Sequence, residues 1–249
     1  FILLKSIEEA GELARTAHGY ETVVACGGDG TVRAVAEGVL ENQDDSLKFG
    51  VLYTGTSPDF CHAHGIPIES GAAIRLLRSG AFREIPVLTA NGRAFFCSLN
   101  LGIGAAVAET ANRLRPYLGD HVGTFAALVS ALLRARSYGV EVGAWRIDAC
   151  AHFLITRIPA IAGGLRLALP KLGEDEFAAW VVPRPALLDW PRLLWSLYKG
   201  EPCGEFHILR NAVTLRSDAE VPVEFDGDPH GCLPGEVRFS KRRLKLVRP

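Results

Sequence analysis

The sequence predicts an α/β plus β protein, with an N-terminal α/β domain over residues 1–91 and a mainly antiparallel β-sandwich domain over residues 92–249. In the first part, apolar strand segments alternate with glycine turns and amphipathic helices, which is the order of α/β units. Beyond Tyr138, strand-like runs are separated by gaps of hairpin size, which is typical of an antiparallel sandwich. We place the boundary at Asn91-Gly92, a strong hairpin signal.

The stretch from Thr22 to Leu40 predicts a strand, a glycine turn and a helix. Its first residues are β-branched or small and apolar, which suits a strand buried in a parallel sheet. Gly27, Gly28 and Gly30 end the strand, and we expect positive φ angles there because glycine has no Cβ. The free N–H groups and positive dipole end of the next helix point to the same place, so the turn is predicted to hold a phosphate.

Asp29 lies inside this turn, where repulsion with a phosphate would be strongest. A carboxylate in that place predicts contact with a metal ion, a ribose hydroxyl or an acceptor hydroxyl. The alternative is an ordinary strand-to-helix turn in which Asp29 is the helix N-cap. The residues alone leave both interpretations open, because short glycine motifs recur by chance.

A second junction of strand and turn follows in the segment TGTSPDF. Gly55 provides the bend, and Thr56 and Ser57 provide hydroxyl groups. Turns at neighbouring strand ends face one crevice in an open α/β sheet. We therefore expect the two glycine turns to face the same ligand.

Two carboxylates lie one residue apart near the end of the sequence, in Asp226-Gly227-Asp228. Such a pair can bind Mg²⁺, or one member can act as a base toward a hydroxyl group. The alternative, which this local sequence favours, is a simple Asp-Gly hairpin turn.

Composition limits the possible partners. The formal net charge is -1 and the pI is about 6.7, so no global positive field recruits nucleic acid. The six cysteines include no CxxC pair, which favours reduced thiols in a cytosol over disulfides or zinc. No apolar run is long enough to cross a bilayer, so membrane contact is expected to be peripheral. The apolar face from Leu187 to Tyr198 predicts packing over the sandwich, with lipid contact through Trp190 and Trp195 as the alternative.

Together these motifs resemble the diacylglycerol kinase catalytic domain family, particularly the soluble bacterial lipid kinases related to diacylglycerol and sphingosine kinases. CGGDGT at 26–31 is similar to the family's GGDGT signature, and TGTSPDF at 54–60 is similar to its GTGNDF signature. FFCSLNLGIG at 95–104 resembles the segment entering the second domain. KLGEDEF at 171–177 resembles the acidic metal-site loop, and FDGD at 225–228 resembles the DGE motif.

The resemblance implies a lipid kinase that uses ATP and Mg²⁺ in phospholipid biosynthesis. It implies a catalytic base at Asp226, support from Asp228, a catalytic role for Asp29 beside the phosphates, and a metal ligand at Asp175. The residues implied to bind the nucleotide are Gly27, Gly28, Gly30, Thr31, Gly55, Thr56 and Ser57. A lipid from a membrane surface would enter between the domains of a cytoplasmic protein that is peripheral to the inner face of the membrane. A homodimer is a further expectation.

Several positions depart from the family pattern and keep two alternatives open. The asparagine of GTGNDF is replaced by Pro58 and its second glycine by Ser57, while Ala105 and Leu172 stand where the family has acidic residues. These changes favour a catalytically silent nucleotide or lipid sensor as one alternative. NAD kinase, whose superfamily shares GGDGT, is the other, although no Asn-Glu pair follows the second glycine turn.

Overall fold

The computed structural model describes residues 2–133, 136–161, 165–183 and 189–249, except for the side chains of residues 115, 116, 120 and 121. The helices are α1 (Ile7–Thr16), α2 (Asp29–Glu41), α3 (Asp59–His64), α4 (Ser70–Ser79), α5 (Ile103–Leu133) and α6 (Trp190–Lys199). The strands up to the long α5 helix are β1 (Thr22–Gly27), β2 (Lys48–Tyr53), β3 (Phe82–Ile85), β4 (Leu88–Ala90), β5 (Arg93–Phe95) and β6 (Ser98–Gly102). The later strands are β7 (Tyr138–Val142), β8 (Trp145–Thr156), β9 (Ala160–Ile161), β10 (Leu165–Arg166), β11 (Glu176–Pro183), β12 (Glu205–Arg210), β13 (Val213–Arg216), β14 (Pro222–Phe225), β15 (Asp228–Cys232), β16 (Gly235–Phe239) and β17 (Leu244–Val247).

The first sheet has four strands in the order β1-β2-β17-β3. Strands β1 and β2 are parallel, so both end at the same edge, and helix α2 makes the crossover between them. Phe49 of β2 and Leu246 of β17 are fully buried in the core that this sheet shares with the helices. The strands that lead into the glycine turns are therefore fixed by a closely packed core.

Strand β17 comes from the far end of the sequence, whereas β4 belongs to the second sheet. The strands of the two sheets therefore do not separate at residue 91. The division into domains 1–91 and 92–249 stays a prediction, and the segments that depart from it are Leu88–Ala90 and Leu244–Val247.

The second sheet has 11 strands, and all of its pairings are antiparallel. Strand β8 pairs with β7 through its first half and with β6 and β11 through its second half. The strands on both sides of β8 contribute to one core, which includes Phe153, Phe177, Leu215 and Val237. The antiparallel β architecture predicted for the second part of the chain is thus confirmed.

Helices α5 and α6 pack on the other face of this sheet, against Leu154 and Trp180. Trp190 and Leu197 of α6 are buried, which confirms that this helix packs over the sheet, while Trp195 stays 59% exposed. Leu187 and Leu188, at the start of the predicted apolar face, lie outside the described residues. Among the residues that the structure describes, no helix is both long and apolar enough to cross a membrane.

Candidate active site

The two glycine turns lie against each other at the ends of β1 and β2. A Cβ atom built on Gly55 would lie 2.6 Å from the Gly28 Cα, and one built on Gly28 would lie 3.3 Å from the Gly55 Cα. The Thr54 N–H donates to the Gly27 carbonyl at 2.9 Å and continues the ladder of the two strands. Any side chain at Gly55 would push the turns apart, which explains why both positions are glycine.

The expected positive φ angles are wrong for this pair of turns. Gly28 has φ -87°, and Gly27, Gly30 and Gly55 also lie outside the left-handed region. The reason for glycine is close approach: a Cβ on Gly27 would lie 2.6 Å from Thr31 Oγ1. The turns need space rather than an unusual backbone conformation.

Asp29 is the first residue of α2, and it does not act as the N-cap. That position belongs to Gly28, which makes no side-chain cap. Asp29 Oδ2 instead accepts a hydrogen bond from the Tyr53 hydroxyl at 2.7 Å, and that hydroxyl accepts one from the Ser57 N–H at 3.0 Å. Asp29 Oδ1 is buried without a hydrogen-bond partner, and burial raises the pKa of this carboxyl above its ordinary value. A buried carboxylate oxygen without a partner is suited to a ligand that the protein itself does not supply.

Tyr53 was not identified from the sequence, although it precedes the second glycine turn directly. It ties the two turns together, since its hydroxyl contacts a residue from each. The position of an aromatic hydroxyl at the end of a buried strand was the available signal.

Asp226 and Gly227 form the two-residue turn between β14 and β15, with Phe225 paired to Asp228. The hairpin interpretation is therefore correct, and both turn residues have positive φ, 50° at Asp226 and 93° at Gly227. The Asp226 side chain folds back onto the segment before β6. Its carboxylate accepts hydrogen bonds from the N–H groups of Phe96, Cys97 and Ser98 at 2.8, 2.8 and 2.9 Å.

Burial raises the pKa of Asp226 to about 6, although the three backbone N–H groups and the charge of Arg33 act in the opposite direction. A carboxylate offers about four lone-pair positions, and three are used here. One remains for a substrate proton. The hairpin therefore holds a fixed carboxylate that can act as a base near neutral pH.

Glu224, the second-to-last residue of β14, contacts this hairpin, and sequence reasoning missed it. It is 3% exposed, and its carboxylate contacts the Gly227 N–H and the Asn100 side-chain amide, the latter at 2.6 Å. Burial, and then the nearby charge of Asp226, raises the pKa of Glu224 to about 8. The signal was a glutamate flanked by apolar residues in a strand, which is rarely buried without a specific partner.

Asp228 brings the hairpin to the glycine turns. Its carboxylate forms an ion pair with Arg33, which lies one helical turn beyond Asp29 on α2. The pKa of the partly buried Cys97 thiol is raised first by burial and then by the charges of Asp226, Asp59 and Asp29. The Arg33–Asp228 ion pair thus joins the helix after the first glycine turn to the acidic hairpin.

Asp175 does not join this group of contacts. It lies exposed in a turn whose acidic neighbours pair with arginines: Glu174 with Arg243 and Glu176 with Arg210. Within the described residues, no group of three or more His, Cys, Asp or Glu side chains could hold a metal ion by itself. The metal role of Asp175 stays a prediction, and nothing in its surroundings supports it.

Paired glycine turns on the first sheet, joined through the Arg33–Asp228 ion pair to an acidic hairpin of the antiparallel sheet, are an arrangement suited to phosphoryl transfer. The family model of the diacylglycerol kinase catalytic domain matches residues 2–90. A "Probable lipid kinase YegS-like" from Pseudomonas aeruginosa is 41% identical over 234 residues, which cover 90% of this chain and 74% of the relative. The chain therefore belongs to the lipid kinases of the diacylglycerol kinase family.

Two further comparisons agree with this family. A "Diacylglycerol kinase" from Bacillus subtilis is 27% identical over 241 residues, with 92% of this chain and 78% of the relative covered. The crystal structure of a diacylglycerol kinase from Bacillus anthracis superposes with a TM-score of 0.79 at 17% identity, and the match covers 99% of this chain and 84% of that one. The second comparison shows that the fold is shared. Membership of a kinase family implies use of a nucleotide.

Proposed function

We propose that this protein is an ATP-dependent lipid kinase that transfers the γ-phosphate to the hydroxyl group of a diacylglycerol-like or sphingoid lipid. The observation that carries the proposal is the meeting of the glycine turns with the acidic hairpin, bridged by Arg33 and Asp228. Phosphoryl transfer needs a phosphate cradle, a cation and a proton acceptor in one gap. The ion pair between helix α2 and the acidic hairpin supports a site in which residues of each kind act together.

The glycine turns are the proposed nucleotide site. Helix α2 starts directly at the first turn, so its free N–H groups and positive end face an incoming phosphate. The proposed phosphate contacts come from Gly27, Gly28, Gly30 and Thr31. The second turn completes the nucleotide site with Gly55, Thr56 and Ser57.

The residues present fit a Mg²⁺ ion bound together with the nucleotide. Asp29 Oδ1 has no partner, and the Asp228 side chain is 45% exposed. Magnesium commonly binds one or two carboxylates plus substrate phosphates and water, so no larger acidic cluster is needed. When bound, the ion would neutralise charge on the phosphates.

Asp226 is the proposed general base. Its pKa of about 6 leaves it mostly ionised at pH 7, and the N–H groups of residues 96–98 fix its direction. It would take the proton of the lipid hydroxyl as that oxygen bonds to the γ-phosphorus. The bond from phosphorus to the bridging oxygen breaks, and ADP leaves with that electron pair.

A lipid surface is the proposed source of the acceptor. Between Val122 and Leu133 the chain carries no charged residue, and Phe125 and Leu133 are each 68% exposed. On α6, the exposed Trp195 lies under the Lys199 ammonium group, a pairing suited to a membrane interface. These exposed side chains support peripheral contact with a bilayer that contains the substrate.

A transfer assay with γ-labelled ATP, run over a panel of lipids and NAD, tests the proposal. We expect labelled lipid from the wild type and none from Asp226→Asn, whereas Asp148→Asn, an exposed change in the same sheet, should retain activity. Labelled NADP would indicate NAD kinase activity instead. Nucleotide binding without any transfer would indicate the silent sensor, for which Pro58 and Ala105 are the motivating departures.

A further inference from the structure

Arg33 connects the two parts of the proposed site through its ion pair with Asp228, and no role has yet been assigned to it. Asp29 and Arg33 are four residues apart on α2 and therefore share one face of the helix. The Arg33 side chain is only 13% exposed, and its partners are Asp228 and, at 4.0 Å, Glu37. Its Nε atom is buried with no hydrogen-bond partner. The guanidinium group is thus held between the start of helix α2 and the Asp226-Gly227 hairpin, and its Nε donor is unused.

A permanent ion pair between Arg33 and Asp228 would be incompatible with the proposed binding of nucleotide and metal ion. The phosphates must lie beside the glycine turns, close to Asp29, and Asp228 is a proposed ligand of their metal ion. A guanidinium that stays on Asp228 would occupy one of the few carboxylates available to the metal. The same guanidinium has a planar set of five donors, which suits phosphate oxygens as well as carboxylates.

We propose that Arg33 is an exchangeable counter-ion: it neutralises Asp228 in the free protein and moves to the phosphates when the nucleotide and its metal ion bind, which releases Asp228. This inference rests on the proposed kinase function. The unused Nε donor of Arg33 and the 45% exposure of the Asp228 side chain support such a transfer. A lysine at position 33 could pair with Asp228 but could not bind a phosphate through two parallel hydrogen bonds.

A double-mutant cycle tests the exchange without measuring activity. Urea unfolding is measured for the wild type, Arg33→Ala, Asp228→Ala and the double variant, both free and with saturating AMP-PNP and Mg²⁺. We expect the two substitutions to be coupled in the free protein and independent in the nucleotide complex. Coupling of equal size in both states would make the pair a permanent bridge and would overturn the inference.

A second measurement covers the case in which Arg33→Ala does not fold. Arg33→Lys keeps the charge, and we expect its AMP-PNP dissociation constant to rise at least about tenfold, because bidentate contact is lost. Arg15→Ala, which removes an exposed arginine paired with Glu41, is the matched control and should leave the constant unchanged. An unchanged constant in Arg33→Lys contradicts the exchange alone. Failure of the wild type to bind AMP-PNP would overturn the proposed kinase function as well.

Discussion

The buried carboxyl of Glu224 makes a quantitative prediction for the substitution Glu224→Gln. In the folded protein the pKa of this group is raised from 4.5 to about 8, mainly by burial. The folded state therefore keeps a proton that the unfolded chain has released. The stabilisation from that proton is fully present below the unfolded pKa and is lost as pH rises through the folded pKa.

The size of the effect follows from the proton balance. Between pH 6 and pH 8 the folded state holds most of one proton and the unfolded state almost none, so the wild type loses roughly 2 kcal/mol of unfolding free energy from this group. Glutamine resembles the protonated acid: its carbonyl can accept from the Gly227 N–H and its amide can donate to Asn100 once that side chain flips. The variant should lack this pH dependence.

Urea unfolding from pH 6 to pH 8 measures the prediction. The stability of Glu224→Gln minus that of the wild type should increase with pH by roughly 2 kcal/mol, whatever its offset at pH 6. Groups that titrate equally in both proteins cancel in this difference. Glu236→Gln, an exposed substitution in the same sheet, is the control and should give a flat difference. A flat difference for Glu224→Gln as well would refute the assignment of a proton to Glu224.

Four other perturbations test the site. Wild-type kcat/KM should fall about tenfold for each pH unit below about 6, because Asp226 must be ionised to act as the base, and Asp226→Asn should abolish transfer at every pH. Asp29→Ala should lower turnover by about two orders of magnitude or more while the melting temperature changes little, since one of its carboxylate oxygens has no partner; loss of the fold would assign it a structural role. Gly55→Val should eliminate ATP binding in calorimetry, because a Cβ would lie 2.6 Å from Gly28; unchanged affinity would contradict the cradle. Phe125→Ser should reduce co-sedimentation with lipid vesicles several-fold at unchanged activity on detergent-dispersed substrate, and equal sedimentation would remove this surface from the proposed interface.

Local sequence patterns predicted those parts of the site that depend on nearby residues. The Asn91-Gly92 and Asp226-Gly227 hairpins formed as expected because their turn geometry depends on the dipeptide itself. The approach of the two glycine turns followed from parallel strand order. In each case the determining residues are adjacent in the sequence or belong to consecutive elements.

The contacts that sequence reasoning missed join distant segments. Arg33 and Asp228 are 195 positions apart, and Glu224 and Asn100 are 124 positions apart. No periodicity or turn signal links such residues: the order of strands in the second sheet pairs Glu224 with Asn100, and the packing of helix α2 near the hairpin brings Arg33 to Asp228. The role of Tyr53 needed the side-chain direction at the end of β2, which periodicity does not supply.

Strand β17 has a consequence for synthesis of the chain. Because it lies between β2 and β3, the sheet that carries the glycine turns lacks a central strand until Leu244–Val247 has left the ribosome. Until then β2 presents an unpaired edge, which is a site for wrong pairing during translation. Contacts that close so large a loop form slowly, so the nascent first sheet should depend on chaperones until β17 has been made.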